Sequence, residues 1–298
     1  MTGEGNKALQ RIGLSANDRA VIIHADDIGM CHATVTAFED VIDFGLVRSG
    51  AVMVPCPWFP TVAQYARDNP GIDIGVHATV TCEWTSMRWG PISTVDPDSG
   101  LLDAQGYFHR RSSDVQQAAA PHATEVEIAA QIARAIDAGI DVTHVDQHMF
   151  AVGHPRLFRP YLNAVIPHML PPLLLRGSAY HRMGYEVPDS EQMAQTVRYL
   201  EEQGYASFDS VIQLPLTEPA GQVELVKQLL SSLEPGLHLM IMHPVRDTPE
   251  VRAIIPHWQA RVANYEAMLS KDLLAHLGNL GIQSITYRDL RDCIPGRQ

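Results

Sequence analysis

Eight short apolar runs alternate along the chain with longer amphipathic segments, and this rhythm limits the fold more than any other feature. The runs are AVIIHAD (20–26), SGAVMV (49–54), IDIGVHATV (72–80), IDVTHVDQH (140–148), PLLLRG (172–177), SVIQLP (210–215), HLMIMH (238–243) and QSITY (283–287). Between them lie CHATVTAFEDVIDFG (31–45), TEVEIAAQIARAIDAG (124–139) and AGQVELVKQLLSSLEPG (220–236). The apolar residues of these segments recur at three and four, and Gly45, Gly139 and Gly236 stand where a helix would stop. Strands alternating with helices predict a parallel sheet with helical crossovers. Seven or eight strands suit one closed (β/α) barrel of TIM type, although an open doubly wound sheet produces the same local pattern.

The expected barrel fills residues 20–298, behind a polar N-terminal extension at 1–19. From Glu83 to about His122 the rhythm breaks into a long stretch rich in Pro, Gly, Ser and Asp, which reads as an extended loop over the site.

The 298 residues are 46% hydrophobic and 19% charged, an ordinary globular balance. A formal net charge of −12 argues against nucleic acid or an anionic membrane as partner. No stretch of about 20 apolar residues spans a bilayer, and the N-terminus has no apolar signal core. Cys31, Cys56, Cys82 and Cys293 form no CxxC pair, so a reducing, cytoplasmic setting is expected.

The unusual polar residues gather at one end of the strands. Asp26 and Asp27 end the first run, His77 lies late in the third, and His144, Asp146 and His148 late in the fourth. Arg176 ends the fifth and His243 the seventh. The C-terminal ends of the strands are where such folds build their active sites. Side chains alternate along a strand, so His144, Asp146 and His148 share a face, as do Gly75, His77 and Thr79. Two imidazoles from neighbouring strands plus a carboxylate oxygen from the first make a common set for a catalytic divalent ion. Each residue also has a plainer reading. A strand histidine can be a satisfied core residue, Asp27 can cap the following helix, and Arg176 can pair with a buried carboxylate. Five strands would need independent excuses at the same end.

With these residues in place, the chain resembles the YdjC-like carbohydrate deacetylases, which include the chitooligosaccharide deacetylases. The resemblance rests on HADDIG, on GLVRSGAVMV (45–54), on GVHATVT (75–81), on THVDQH (143–148) and on IMHP (241–244), in that order from about residue 20 to residue 290. It implies a distorted TIM-type barrel and one divalent metal held by Asp27, His77 and His148. Asp26 is then the general base and His243 the general acid, and Arg176 orients Asp26 or the substrate. Asp146 and His144 would support the ligands. His24 stands where the family pattern has Asn, Met149 and Phe150 where many members carry further histidines, and Leu239 where an acidic residue often precedes the late histidine.

The chemistry expected is hydrolysis of an N-acetyl group on a sugar, with zinc, manganese or cobalt suiting two nitrogens and an oxygen, and magnesium fitting if waters fill its shell. The imidazolium form that an acid needs would be favoured by a nearby carboxylate. In the loop, Trp84 and Trp89 are candidates to stack on sugar faces or to anchor a lid, and Arg88 to bond hydroxyls. His154, His181 and Arg246 are weaker candidates near strand ends. A homodimer is compatible with the resemblance, with no interface signature in the sequence. Two other readings compete. One is a metal-dependent hydrolase of another amide or a phosphoester, disfavoured because the first strand lacks His-x-His. The other is a non-catalytic sugar-binding protein, which would need neither Asp26 nor His243.

Overall fold

A computed structural model describes residues 5–176, 179 and 190–297. Seven strands are present among them: β1 (Arg19–Ile28), β2 (Ser49–Val52), β3 (Ile74–Ala78), β4 (Val142–Gln147), β5 (Ser210–Gln213), β6 (Gly236–Met242) and β7 (Gln283–Ser284). All pair in parallel, in the order β4-β3-β2-β1-β6-β5. The edge of β1 that does not face β6 is divided. β7 pairs with Ala20 and Val21, and β2 takes over from His24 onward.

The fifth apolar run, expected as a strand, closes the ring without becoming a regular one. Val145 bridges Pro172 and Leu175 bridges Phe208. The Leu173 N–H donates to the Val145 carbonyl at 3.2 Å and the Phe208 N–H to the Leu174 carbonyl at 2.8 Å. Pro171 and Pro172 have no N–H to donate, so a full ladder cannot form here. The result is a distorted barrel of seven strands sealed by this irregular segment.

Helices cover the outside: α1 (Lys7–Arg11), α2 (His32–Phe44), α3 (Phe59–Asp68), α4 (Ser112–Ala118), α5 (Pro121–Asp137), α6 (Pro155–Val165), α7 (Ser190–Glu202), α8 (Gln222–Ser231), α9 (Pro249–Ile254), α10 (Trp258–Met268), α11 (Lys271–Asn279) and α12 (Tyr287–Arg291). α2 shows the usual logic. It buries Ala33, Val35, Ala37, Phe38 and Val41 and stops at Gly45, whose φ of 88° an L side chain resists. Phe38 is fully buried against the face of Gly50, where a Cβ would meet its ring at 2.5 Å. Burying one such ring contributes about 1.5–3 kcal/mol.

The segment before β1, expected as a polar extension, is tied to the barrel. Leu9 of α1 is fully buried, and the Asn6 amide donates to the Ser207 carbonyl and to Asp209, each at 2.8 Å. The long stretch after β3 is irregular only up to Arg111, apart from a short 3-10 turn at Pro97–Ser99 and an antiparallel bridge between Leu102 and Phe108. α4 and the start of α5 fill the rest. No helix among the described residues is long and apolar enough to cross a membrane.

Candidate active site

Neighbouring residues on a strand face opposite ways, yet Asp26 and Asp27 both point into the barrel mouth. The pairing of β1 with β2 shifts register between Ala25 and Ile28, and Asp27 adopts a left-handed backbone with φ 62°. A bulge at this point turns the second carboxylate toward the first. Left-handed backbone in a non-glycine residue is costly and clusters at functional sites. Met149 and Phe150, directly after His148, repeat it with φ of 53° and 52°.

The carboxylate of Asp27 and one nitrogen of each of His77 and His148 lie within 4.8 Å of one another, all buried. Asp27 Oδ1 sits 3.4 Å from His77 Nε2 and 3.0 Å from His148 Nδ1, yet it makes no aligned hydrogen bond among the described residues. Three donor atoms converge on one point at ion-pair distance, as ligands of a cation do. The opposite nitrogens are held by carboxylates: His77 Nδ1 contacts Asp146 Oδ1, and His148 Nε2 lies 3.0 Å from Glu83 Oε2. That arrangement fixes the tautomer and aim of metal-ligating histidines. The residues present therefore fit a divalent ion.

Charge in the pocket is finely divided. Burial opposes ionisation of Asp27, but the Arg261 guanidinium, 2.6 Å from its Oδ2, and His148 hold its carboxyl well below the usual range. Burial likewise opposes charge on His148, and the Glu83 and Asp27 carboxylates outweigh it and push its pKa up to about 9. For Asp26 burial is overcome by His77 and by His24, whose Nδ1 lies 2.7 Å from Asp26 Oδ1, so the carboxyl pKa is lowered. Asp26 Oδ2 is left 3.8 Å from His77 Nε2 and 3.9 Å from His243 Nε2.

His243 departs from expectation. Burial, and then the charge of Arg261, push its pKa down to about 4, so the ring is neutral near pH 7 despite the two aspartates. Its Nδ1 has no hydrogen-bond partner among the described residues, and Leu239, where the family pattern has an acidic residue, is fully buried. Asp26, Asp27, His148, His243 and Arg261 line a cavity of about 410 Å³ that also reaches Glu83 and Trp84, a size typical of small-ligand sites. A larger cleft of about 780 Å³ between α6 and α7 contains none of these histidines or aspartates.

The same blocks are recognised when the chain is set against known proteins. Residues 20–278 match the profile of the YdjC-like protein family. The chain is a member of the YdjC-like family. It is 31% identical over 297 residues to a carbohydrate deacetylase of Thermus thermophilus, covering 96% of this chain and 98% of that relative. A carbohydrate deacetylase of Listeria monocytogenes serotype 4a is 24% identical over 279 residues, covering 91% and 99%. A candidate cellobiose-phosphate cleavage protein from Enterococcus faecalis V583 has a solved structure that superposes with a TM-score of 0.75 at 22% identity, covering 92% and 99%, a likeness of fold.

In this YdjC-like chain, Asp26, Asp27, His77, His148 and His243 come together as expected, His77 beneath the cavity wall that the other four form with Trp84, whose ring lies 5.5 Å from the Arg261 guanidinium. Arg176 does not. Its Nε pairs with Glu201 at 2.9 Å and its Nη1 with Asp209 at 3.1 Å. Asp209 in turn accepts the Leu237 N–H, which places Arg176 at the starting end of β6, opposite the end that leads to His243. Arg88 is spent on the loop, bonding Asp103 at 2.7 Å and the Phe108 carbonyl at 2.9 Å. Trp89 is buried with its Nε1–H on the Thr81 carbonyl, a packed anchor rather than a sugar platform. His154 caps α6 through the Arg156 N–H, Arg246 bonds Asp40 at 2.7 Å, and His181 lies outside the described residues.

Glu83 and Arg261 escaped sequence reasoning. Glu83 had a signal: it shares the odd parity of His77, Thr79 and Thr81 on the run leaving β3. Arg261 had none, because only the structure shows that α10 turns Arg261 and Asn264 inward.

Proposed function

We propose that this YdjC-like protein hydrolyses the N-acetyl group of an N-acetylated amino sugar or oligosaccharide, with one divalent metal held by Asp27, His77 and His148. The observation that carries this reading is the convergence of those three donors beside Asp26 and across from His243, at a cavity that Asp26, Asp27, His148 and His243 line. The names of the Thermus and Listeria relatives point to the same substrate class.

A divalent ion in that set supplies Lewis acidity, acidifying water and polarising a carbonyl. The protein's own groups then handle the proton. Asp26, with Oδ1 occupied by His24, offers Oδ2 as the base. His243 begins as a neutral ring, so it cannot bring a proton of its own to the leaving group. The proton that Asp26 Oδ2 takes from water passes to His243 Nε2, on the far side of that oxygen, and from there to the departing amine. A C–O bond forms, the C–N bond breaks, and the products are acetate and the free amino sugar.

The test is acetate release from N-acetylated mono- and oligosaccharides by protein loaded in turn with zinc, magnesium, manganese or cobalt. Acetate is expected with at least one metal, and none after Asp27→Ala. No acetate from any combination would overturn the reading.

A further inference from the structure

His24 is buried in the middle of the barrel, and both of its ring nitrogens are engaged. Nδ1 lies 2.7 Å from Asp26 Oδ1 and Nε2 lies 2.8 Å from His144 Nε2. His144 Nδ1 lies 2.9 Å from the Thr143 hydroxyl, which is 3.0 Å from Asp73 Oδ1. The place is shaped for this pair of rings. His144 stacks on Tyr287 at 3.7 Å between centroids, and Gly75 leaves the room it occupies, since a Cβ there would meet the ring at 2.5 Å. The contacts run unbroken from Asp26, late in β1, to Asp73, the residue before β3.

We propose that His24 is a positioning residue for Asp26: with His144, Thr143 and Asp73 it forms one hydrogen-bonded line that fixes a donor on Asp26 Oδ1 and leaves Oδ2 to take the proton. The inference rests on the reading of Asp26 as base. The direction of each bond follows from counting protons. Asp73 also accepts the Ser49 hydroxyl at 2.5 Å and the Arg288 N–H at 2.6 Å. An oxygen pair surrounded by three donors is a carboxylate, so the single Thr143 proton points to Asp73. Thr143 Oγ1 must then accept from His144 Nδ1–H. A neutral His144 has no second proton, so its Nε2 accepts from His24 Nε2–H. His24 Nδ1–H is left to donate to Asp26, and His24 is an imidazolium between two carboxylates, with Asp146 Oδ2 at 3.7 Å.

The charge preferences of the two histidines run the same way, while that of Asp73 is opposed by its burial. Burial opposes the charge on His24, but its bond to Asp26 and the nearby Asp146 raise its pKa. Burial and the charge of His24 hold His144 well below its usual value. Burial raises Asp73, against the pull of its three donors. A donor on the far side of Asp26 stops the carboxylate from rotating without using the oxygen that faces the cavity.

Two variants separate the parts of the line. In His24→Asn the amide nitrogen takes the place of Nδ1, keeping the donor to Asp26 and cutting the link to His144. In His24→Leu both are lost. Both variants are expected to bind the full complement of metal. His24→Leu should lower kcat by roughly 10- to 1000-fold with KM within about twofold, less than the roughly 10²- to 10⁴-fold that loss of the base itself costs. His24→Asn should recover at least about a tenth of wild-type kcat. Independently of turnover, nitrogen-15 histidine spectra of the wild-type protein at pH 7 should show His24 protonated on both nitrogens and His144 on Nδ1 alone. A neutral His24 ring in those spectra, or a His24→Leu kcat within twofold of wild type, overturns the proposal. If the wild-type protein releases no acetate from any sugar, the deacetylase reading fails, and the spectra still decide whether the line exists.

Discussion

Glu83 Oε2 lies 3.0 Å from His148 Nε2, while the other nitrogen of the same ring lies 3.0 Å from Asp27 Oδ1. One imidazole therefore spans a loop carboxylate and a strand carboxylate, and its aim depends on both. Partners that orient a metal-ligating histidine are worth about 10- to 100-fold in metal affinity. Glu83→Gln keeps the size of the side chain and removes its charge. Titration with zinc or manganese is expected to show affinity weaker by that factor with the fold intact by circular dichroism. Unchanged affinity would mean that Glu83 merely fills space.

The protonation of His148 makes metal uptake dependent on pH, and the sign can be worked out. With its pKa pushed up to about 9, the free ring carries two protons at neutral pH. The nitrogen that faces Asp27 must give up its proton before it can bind a cation. Lowering the pH below 9 therefore favours the occupied proton site and weakens apparent metal affinity, by about tenfold per pH unit for each proton released. Calorimetry in buffers of different ionisation enthalpy is expected to show about one or two protons released per metal at pH 7. An affinity that is flat from pH 6 to pH 8 would contradict this.

Much of this site was readable before the structure because strand parity is strict. Once β3 and β4 were placed, the shared faces of His77 and of His144, Asp146 and His148 followed. Parity could not place Asp27 beside Asp26, since adjacent residues should diverge. The bulge and the left-handed backbone that bring them together leave only the neighbouring Gly29 as a trace in the sequence. Arg176 ends a run whose apolar residues read as a regular strand, but Pro171 and Pro172 prevent one, and its guanidinium goes to Glu201 and Asp209. His24 was unexplained because its partners, His144 and Tyr287, are 120 and 263 positions away along the chain. Only closure of the barrel brings them together.

Asp26→Asn tests the division of labour between the two acids. The amide keeps the shape of the side chain but cannot take a proton from water. Metal content is expected to match wild type, because Asp27, His77 and His148 are untouched. Loss of a general base typically costs 10²- to 10⁴-fold in rate, and kcat for acetate release is expected to fall within roughly that range. A variant that loses its metal instead would assign Asp26 to the ligand set.

Arg261 balances the charge of Asp27 when no cation is bound. Its Nη1 is 2.6 Å from Asp27 Oδ2, and both side chains are almost fully buried, at 7% and 2% exposure. Removing one partner of such a pair strands the other and costs about 3–5 kcal/mol. In Arg261→Met that cost should fall mainly on the metal-free protein, since a divalent ion on Oδ1 supplies the missing positive charge. Thermal melts in EDTA are expected to drop by roughly 5–8 °C. With saturating zinc or manganese the loss should be less than half as large. Equal losses in the two conditions would show that Arg261 contributes packing over Trp84 and not charge balance at the site.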